Sequence, residues 1–188
     1  MDRLDGRGVV GLRQGWQAAL LGGLALGWTC LPVAGQPAPA GGHERGTSVL
    51  QAGFARVDIT PPLGSEIPGG FSKNFAQGVH DPLWVEAAVI RNGTIALALV
   101  GVDLIMLPGD VVTKARAEAE ARCGIPGSHI MMGASHTHNA GPVVDCFECE
   151  SDPAYCDRAA HAIADAVVAA NDRAVAARVG VGVGREDS

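Results

Sequence analysis

Two apolar segments on either side of Asn92-Gly93 constrain the fold of this chain more than any other feature. Residues 85–91 and 94–102 are rich in β-branched and aliphatic side chains, as strands are. An Asn-Gly dipeptide between two such segments is the strongest short signal for a β-hairpin. The sequence therefore predicts an antiparallel pair of strands at its centre.

The turn also sets the register of this hairpin. A two-residue turn at Asn92-Gly93 pairs Pro82 with Asp103, because residues opposite each other are counted outward from the turn. One strand then begins just after His80-Asp81 and the other ends at Asp103. These polar groups are predicted to lie at one end of the hairpin.

A strand, a helix and a further strand are predicted in succession after the hairpin turn. Residues 111–122 are alanine-rich with flanking charges and are followed by Gly124 and Pro126, which is typical of a surface helix and its end. Residues 129–134 form an apolar run that predicts a strand. A strand-helix-strand succession favours a right-handed crossover, with residues 95–102 and 130–134 parallel in one sheet.

Three further elements complete the predicted fold. Residues 51–59 predict a first strand, Asp152-Pro153 starts a second helix, and residues 175–183 predict a final strand. The predicted fold class is α/β: a mixed sheet with an antiparallel hairpin and a parallel βαβ crossover, with helices packed on the sheet.

Polar residues converge on one edge of this predicted sheet. Asp103 follows one parallel strand, while His136 and His138 follow the other. The carboxyl ends of parallel strands meet at the edge where open α/β sheets bind ligands, and the antiparallel partner brings His80 and Asp81 there. Spacing of two residues in an extended segment places both later imidazoles on one face. We therefore predict a functional site with these residues.

Each of these residues also has a structural interpretation. Asp103 is expected either to accept hydrogen bonds from a loop or to orient an imidazole, since an unpaired buried carboxylate is unfavourable. His80 could be a turn residue, and His136 and His138 could end a strand in solvent. Two histidines and an aspartate fit a hydrolytic zinc centre, but also a binding site without turnover.

The first 35 residues are typical of a secretory signal peptide. Three arginines precede an apolar run over residues 18–31, and Val33-Ala34-Gly35 offers small residues for cleavage. A membrane anchor is the alternative, although the run is short for a span and is followed by prolines. We expect a signal peptide over 1–35, a disordered leader over 36–49 and a folded domain over 50–188, in a secreted or periplasmic protein.

The charge balance argues against nucleic acid as a partner. The chain has 14 basic and 20 acidic residues, of which three basic and two acidic residues lie in 1–35. Residues 36–188 therefore carry 11 basic and 18 acidic residues, a net charge of −7. No Lys/Arg run offers a surface for phosphates.

Three cysteines lie close together in the predicted domain. Cys146, Cys149 and Cys156 fall within eleven residues, and in an exported protein such a group more often forms a disulfide than half of a zinc knuckle. One bridge is expected among them, with Cys123 as a further candidate partner; the sequence does not fix the pairing.

Four segments together resemble the amino-terminal part of the neutral/alkaline, non-lysosomal ceramidase family. They are AGFARVDITP at 52–61, GVHDPL at 78–83, GVDL at 101–104 and SHTHNAGP at 135–142. Their order and spacing, between about residues 50 and 171, make the resemblance specific. One departure is that the family commonly has Ser-Gly-Pro after the His-Thr-His segment, whereas this chain has Asn139-Ala140-Gly141-Pro142, so the loop that faces the substrate would differ.

The resemblance implies a zinc-dependent amidase that cleaves the N-acyl bond of ceramide-like lipids to a sphingoid base and a fatty acid, reached at a membrane surface. It implies Zn²⁺ as cofactor, His80 as a metal ligand, and His136 and His138 as residues around the active site. Asp103, with Asp81, would support them.

The resemblance also implies that the site is incomplete here. In the family the nucleophilic serine and the other zinc ligands, a histidine, a glutamate and a tyrosine, come from segments further along the chain. We therefore expect a fragment or a truncated reading frame with little or no activity in isolation. Two alternatives stay open: another exported metallohydrolase such as an esterase, and a non-catalytic binding domain stapled by disulfides.

Overall fold

Five strands and two α-helices make up the described part of the chain. The structure, a computed structural model, describes residues 49–180 and 182–186. The predicted signal peptide and all of the predicted leader except Val49 lie outside the described residues. The elements in chain order are β1 (Leu50–Asp58), β2 (Trp84–Asn92), β3 (Ile95–Val102), α1 (Gly109–Cys123), a 3₁₀ turn (Gly127–His129), β4 (Ile130–Ala134), α2 (Pro153–Asp172) and β5 (Val175–Ala176).

The strands form a single mixed sheet in the order β4-β3-β2-β1-β5. Only β3 and β4 are parallel, with Ala98 opposite Ile130 and Val102 opposite Ala134, and they are connected through α1. The other neighbouring strands are antiparallel. The predicted fold class, with its hairpin and its parallel crossover, is confirmed.

The register of the hairpin differs from the predicted one. Asn92 pairs with Ile95, so the two turn residues are Gly93 and Thr94. Gly93 has φ of 60°, and a glycine at the first central position of a two-residue turn supplies the positive φ that such turns require. The shift is two residues along the partner strand, so every side chain keeps its face, but Trp84 rather than Pro82 opposes Asp103.

The helices cover one face of the sheet. Helix α2 packs on β1 and β2, and α1 packs on α2. Alternate residues of β2 and β3 face the helices and are buried, as the period of a strand requires: Val85, Ala87, Val89, Ala96, Ala98, Val100 and Val102. On the other face apolar side chains are exposed within the described residues: Phe54, Ile95, Leu97, Leu99 and Met131.

Helix α2 begins where the sequence predicts. The Asp152 carboxylate accepts a hydrogen bond of 2.9 Å from the backbone N–H of Ala154, and Pro153 occupies the first helical position. In the described part of the chain, neither α1 nor α2 is both long and apolar enough to cross a membrane.

The predicted final strand over 175–183 is wrong in length. β5 comprises only Val175–Ala176, and the described residues beyond it are not in a strand. Because β5 runs antiparallel to β1, continuing it would require partners before Leu50, where β1 begins. One residue beyond β5, the N–H of Ala177 donates to the carbonyl of Leu50 at 2.8 Å.

The four described cysteines, Cys123, Cys146, Cys149 and Cys156, carry free thiols. The bridge expected among them is not formed in this structure.

The close approach of β1 to α2 at Gly53 can be tested by substitution. A Cβ on Gly53 would overlap the carbonyl oxygen of Ala170 and lie 2.8 Å from the backbone nitrogen of Ala174. Because these are backbone atoms that cannot rotate away, Gly53→Ala should lower the free energy of unfolding by about 1–3 kcal/mol or more, measured by urea denaturation. Gly101→Ala is the control, since a Cβ there meets nothing within 4 Å; equal effects of the two substitutions would contradict the packing.

Candidate functional site

The parallel pairing of β3 and β4 continues into the loop that carries the two histidines. The N–H of Ser135 donates to Val102 at 2.9 Å and the N–H of His136 donates to Leu104 at 3.0 Å. His136 has φ of 61°, a left-handed conformation that is uncommon for residues other than glycine and often marks functional sites. The histidines therefore follow the strand instead of extending it.

The two imidazoles nevertheless lie against each other. The rings of His136 and His138 are edge-to-face, with centroids 5.0 Å apart and an interplanar angle of 87°. The sequence predicted adjacent rings through an extended backbone, and the structure brings them together through a turn at His136.

Each of these imidazoles is held by a backbone carbonyl. His136 Nδ1 lies 2.6 Å from the oxygen of Ile105, and His138 Nδ1 lies 3.1 Å from the oxygen of Gly69. A carbonyl only accepts, so Nδ1 carries the proton in each ring and donates it. In the neutral form both Nε2 atoms then have a free lone pair, which suits them to accept a proton or to bind a metal.

His80 lies at the mouth of a cleft at the same edge of the sheet. The cleft has a volume of about 510 Å³, and Thr137 and Asn139, which alternate with the two histidines along the chain, also line it. His80 Nδ1 lies 2.8 Å from an Asp81 carboxylate oxygen, and its side chain is 98% exposed. Thr137 and Asn139 therefore share a cleft with His80, whereas His136 and His138 are not among the residues that line it.

Thr60 connects the cleft to the ends of β1 and β2. Its hydroxyl accepts a hydrogen bond of 2.9 Å from the N–H of Leu83, and its own N–H donates to Asp58 at 2.7 Å. Hydrogen bonds from Thr60 lower the pKa of the Asp58 carboxyl. Arg158 of α2 donates to the Thr60 carbonyl at 2.9 Å, which ties this corner to the helix.

Tyr155 of α2 contacts two segments next to the cleft. Its buried hydroxyl donates to the carbonyl of Ile59 at 2.6 Å, and its ring packs against Gly141, where a Cβ would overlap the ring. Burial raises the pKa of Tyr155 to about 12, so the phenol stays protonated and keeps donating. One side chain thus positions both the end of β1 and the loop after the histidines.

Asp103 has a structural contact and lies in a different cleft. Its carboxylate accepts a hydrogen bond of 3.0 Å from the N–H of Trp84, and its own N–H donates to the carbonyl of Trp84 at 2.9 Å. This closes the end of the β2–β3 pair. Asp103 lines a cleft with Gly101, Gly133 and Ser135, whereas His80 lines the cleft with Thr137.

The segment between β1 and β2 is ordered by hydrogen bonds within its own backbone. The N–H of Gly64 donates to Ala76 and the N–H of Ile67 donates to Asn74, at 2.8 and 2.9 Å. We call residues 64–77 the rim loop. Gly69 in this loop has φ of 103° and contacts the ring of His138.

Sequence reasoning missed four residues of this site: Thr60, Thr137, Asn139 and Tyr155. Tyr155 is the chain's single tyrosine, on an alanine-rich helix, which was a usable signal. The other three are small polar residues beside prolines or histidines, and nothing in their spacing distinguishes them.

Among the described residues no group of three or more His, Cys, Asp or Glu side chains is placed to hold a metal ion. His80 with Asp81, and the pair of His136 and His138, are therefore separate donor groups in this structure.

Two solved ceramidase structures match this chain. The neutral ceramidase from Pseudomonas aeruginosa matches with 22% sequence identity over 68% of this chain and a TM-score of 0.58. A ceramidase complexed with C2 matches with 24% identity over 68% of this chain and a TM-score of 0.49. This chain covers 22% of the length of each. No protein-family model matches the chain, and the search of curated proteins gives no match.

The first of these structures shows that this chain has the fold of a segment of neutral ceramidase. The fold implied by the four sequence segments is thereby confirmed.

Gly69→Ala tests whether the rim loop positions His138. A Cβ on Gly69 would lie 2.6 Å from His138 Nδ1, so the ring should be displaced and its hydrogen bond to the rim lost, as seen in ring resonances in ¹H-¹⁵N NMR spectra. Gly64→Ala is the matched control, because Gly64 also has a positive φ but a Cβ there meets nothing within 4 Å. Unchanged His138 resonances in Gly69→Ala would contradict the contact.

Tyr155→Phe tests the support below the cleft. It removes the donor to Ile59 and should lower the free energy of unfolding by about 1–3 kcal/mol at neutral pH. Because folding raises the pKa of Tyr155 from its ordinary value near 10 to about 12, the stability that this phenol contributes is fully present below pH 10 and is lost as pH rises towards 12. The difference between wild type and variant, followed by urea denaturation, should shrink over that interval; a constant difference would contradict this assignment.

Proposed function

We propose that this chain is the N-terminal part of a zinc-dependent amidase resembling neutral ceramidase, which hydrolyses the N-acyl bond of ceramide-like lipids to a sphingoid base and a fatty acid. The observation that carries the proposal is the pairing of His80 with Asp81 at the mouth of a cleft that Thr137, between the two later histidines, also lines. The hydrolase-like fold supports it.

His80 has the environment of a metal ligand. In metal sites a ligating histidine usually donates its other ring N–H to a carboxylate, which fixes the tautomer and raises the basicity of the ligating nitrogen. The 2.8 Å contact between His80 Nδ1 and Asp81 supports such a role for the Asp81 carboxylate, with Nε2 as the nitrogen that would bind the ion. The exposed position of the ring leaves the approach to Nε2 open.

A single ligand does not hold zinc, so the proposal includes further ligands from outside the described residues. Zinc bound there would polarise the amide carbonyl and lower the pKa of a bound water. The donor chemistry of His80 and Asp81 fits such an ion, and the chain's own contribution would be this oriented imidazole.

His136 and His138 are proposed to act beside the metal rather than on it. Their Nδ1 atoms are fixed by Ile105 and Gly69, so each ring offers a lone pair at Nε2 that can take a proton from, or orient, a reacting group. Asp103 is proposed to maintain the sheet edge through Trp84, as a positioning residue and not as a catalytic one.

The cleft has walls that suit the polar end of an amide lipid. Apolar side chains line one part and hydroxyl and amide groups line another: Ile67, Ala76 and Val79 against Thr60, Thr137 and Asn139. Pockets that bind small molecules are mainly apolar with a few polar groups that fix orientation. We propose that the protein reaches such a substrate at a membrane surface. This requires export, which the signal-peptide pattern of residues 1–35 favours.

Zinc binding by the purified chain tests the metal-ligand proposal. Because one imidazole alone binds zinc only weakly, Zn²⁺ added in excess to the chain should shift the ring resonances of His80 before those of the other histidines, and His80→Ala should remove this first shift. His161→Ala is the matched control, because His161 Nδ1 also contacts a carboxylate, that of Glu118 at 2.6 Å, on the exposed surface of α2. Zinc binding that survives His80→Ala and is lost in His161→Ala would refute the proposal.

An activity assay tests the incompleteness of the site. Because His80 is one ligand and no nucleophile is assigned, the purified 188-residue chain should show no zinc-dependent release of fatty acid from ceramide above background. Cleavage of ceramide that a chelator abolishes would show that this chain alone completes the active site. A panel of simple esters assayed alongside separates an esterase from an amidase.

A further inference from the structure

We propose that Cys146 and Cys149 form a disulfide when the protein is oxidised, and that this bridge fastens the rim loop that holds His138. The two residues flank Phe147-Glu148 in a tight turn, which we call the CFEC turn. The inference rests on the geometry of this turn and its contacts and does not require the proposed activity.

The backbone places the two cysteines opposite each other. They form an isolated antiparallel bridge in which each N–H donates to the other residue's carbonyl, both at 3.0 Å. Residues paired in this way have Cα atoms about 5.5 Å apart and side chains on the same side, and disulfides span Cα distances of about 4.4–6.8 Å. The Cα separation expected for this pair therefore lies within the range that a disulfide spans, and closing the S–S bond requires the two Cβ atoms to move slightly closer than in an average hydrogen-bonded pair.

The backbone of the turn between the two cysteines is in an unfavourable conformation, which a disulfide across the turn would help to maintain. Phe147 has φ of 54°, a conformation that favours glycine and that persists in other residues only where the surroundings impose it. The ring of Phe147 packs on that of Phe71 in the rim loop, with centroids 4.9 Å apart. A bridge across the turn would hold Phe147 in this position.

Polar contacts join the CFEC turn to the rim loop. The N–H of Glu150 donates to Glu66 at 2.8 Å, and the N–H of Lys73 donates to Glu148 at 3.2 Å. Lys73 and Glu66 form an ion pair of 2.7 Å, which lowers the pKa of the Glu66 carboxyl. The rim loop is therefore held on both sides of Phe71 by residues within or next to the turn.

The same rim loop holds His138. Gly69, between Glu66 and Phe71, accepts the hydrogen bond from His138 Nδ1 at 3.1 Å. A loosened CFEC turn would release the rim loop and with it the carbonyl that orients this imidazole. The disulfide would thus affect the orientation of His138 indirectly, through the rim loop, and would take no part in a reaction at the site.

The thiols suit a structural bridge rather than a catalytic one. Burial, the Glu66 carboxylate and the neighbouring Cys146 raise the pKa of the Cys149 thiol to about 11, and a thiol that rarely ionises is a poor nucleophile. Once formed, the bond would be sheltered on the Cys149 side, because that residue is buried.

The oxidation needs an electron acceptor, here a disulfide such as that of glutathione or of an export-compartment oxidoreductase. The thiolate of Cys146 attacks that disulfide, giving a mixed disulfide and releasing one thiol. The sulfur of Cys149 then attacks Cys146 and releases the second thiol. Two S–H bonds are lost, one S–S bond forms, and the two electrons and two protons leave on the reduced acceptor.

Peptide mapping tests the pairing directly. The chain is oxidised with glutathione disulfide, remaining thiols are alkylated, and the denatured protein is cut with a glutamyl endopeptidase, which cleaves after Glu148 between the two cysteines. The peptides ending at Glu148 and starting at Cys149 should stay joined until a reductant is added. A bridge from either residue to Cys123 or Cys156, or two alkylated thiols, would overturn the proposal.

Limited proteolysis after Lys73 tests the effect on the rim loop. Oxidised wild type should be cleaved by trypsin about tenfold more slowly there than reduced wild type, and His138 ring resonances should sharpen on oxidation. Cys146→Ser/Cys149→Ser should be cleaved at the reduced rate under both conditions, whereas Cys123→Ser should behave as wild type. Equal cleavage of oxidised and reduced wild type would refute the link between bridge and rim loop.

Discussion

The site depends on two backbone hydrogen bonds that continue the parallel pair β3–β4 past the end of the strands. Through them Ser135 and His136 are bound to the carbonyls of Val102 and Leu104. A parallel pair delivers both chain exits to the same edge of a sheet, and these bonds fix how far the second exit runs before it turns. Together with the hydrogen bond from His138 Nδ1 to the Gly69 carbonyl, they fix the position of His138.

A common feature of the candidate imidazoles is that Nδ1 is already engaged. His80 uses a carboxylate, while His136 and His138 use carbonyl oxygens. The acceptors differ in charge, and in metal sites a ligating histidine usually donates its other ring N–H to a carboxylate, a carbonyl or water. The role proposed for His80 and the roles proposed for His136 and His138 differ on this ground. His161 has a carboxylate too, so the contact gains meaning only from the cleft in which it lies.

The sheet and its edges could be predicted because they depend on alternation and on short signals. The strands of the hairpin and of the parallel crossover follow from a side-chain period of two residues, and the helices follow from a period of 3.6 residues. The start of α2 follows from the capping residue Asp152. The register could not, since Gly93 rather than Asn92 took the first position of the turn. The left-handed conformation of His136 could not be predicted either, because tertiary contacts impose it against the preference of the residue.

The division of the edge into two clefts follows from the pleat of the strands. Asp103 continues β3 directly and shares a cleft with residues of the open face, such as Gly101, whereas His80 lies in the loop before β2, beside Thr60 and Thr137. Side chains at the same edge of a sheet therefore do not necessarily line the same cleft. Tyr155 of α2 holds two of the segments at this edge, through its hydroxyl at Ile59 and its ring at Gly141, so a helix residue remote from every motif helps to position the loops around the His80 cleft.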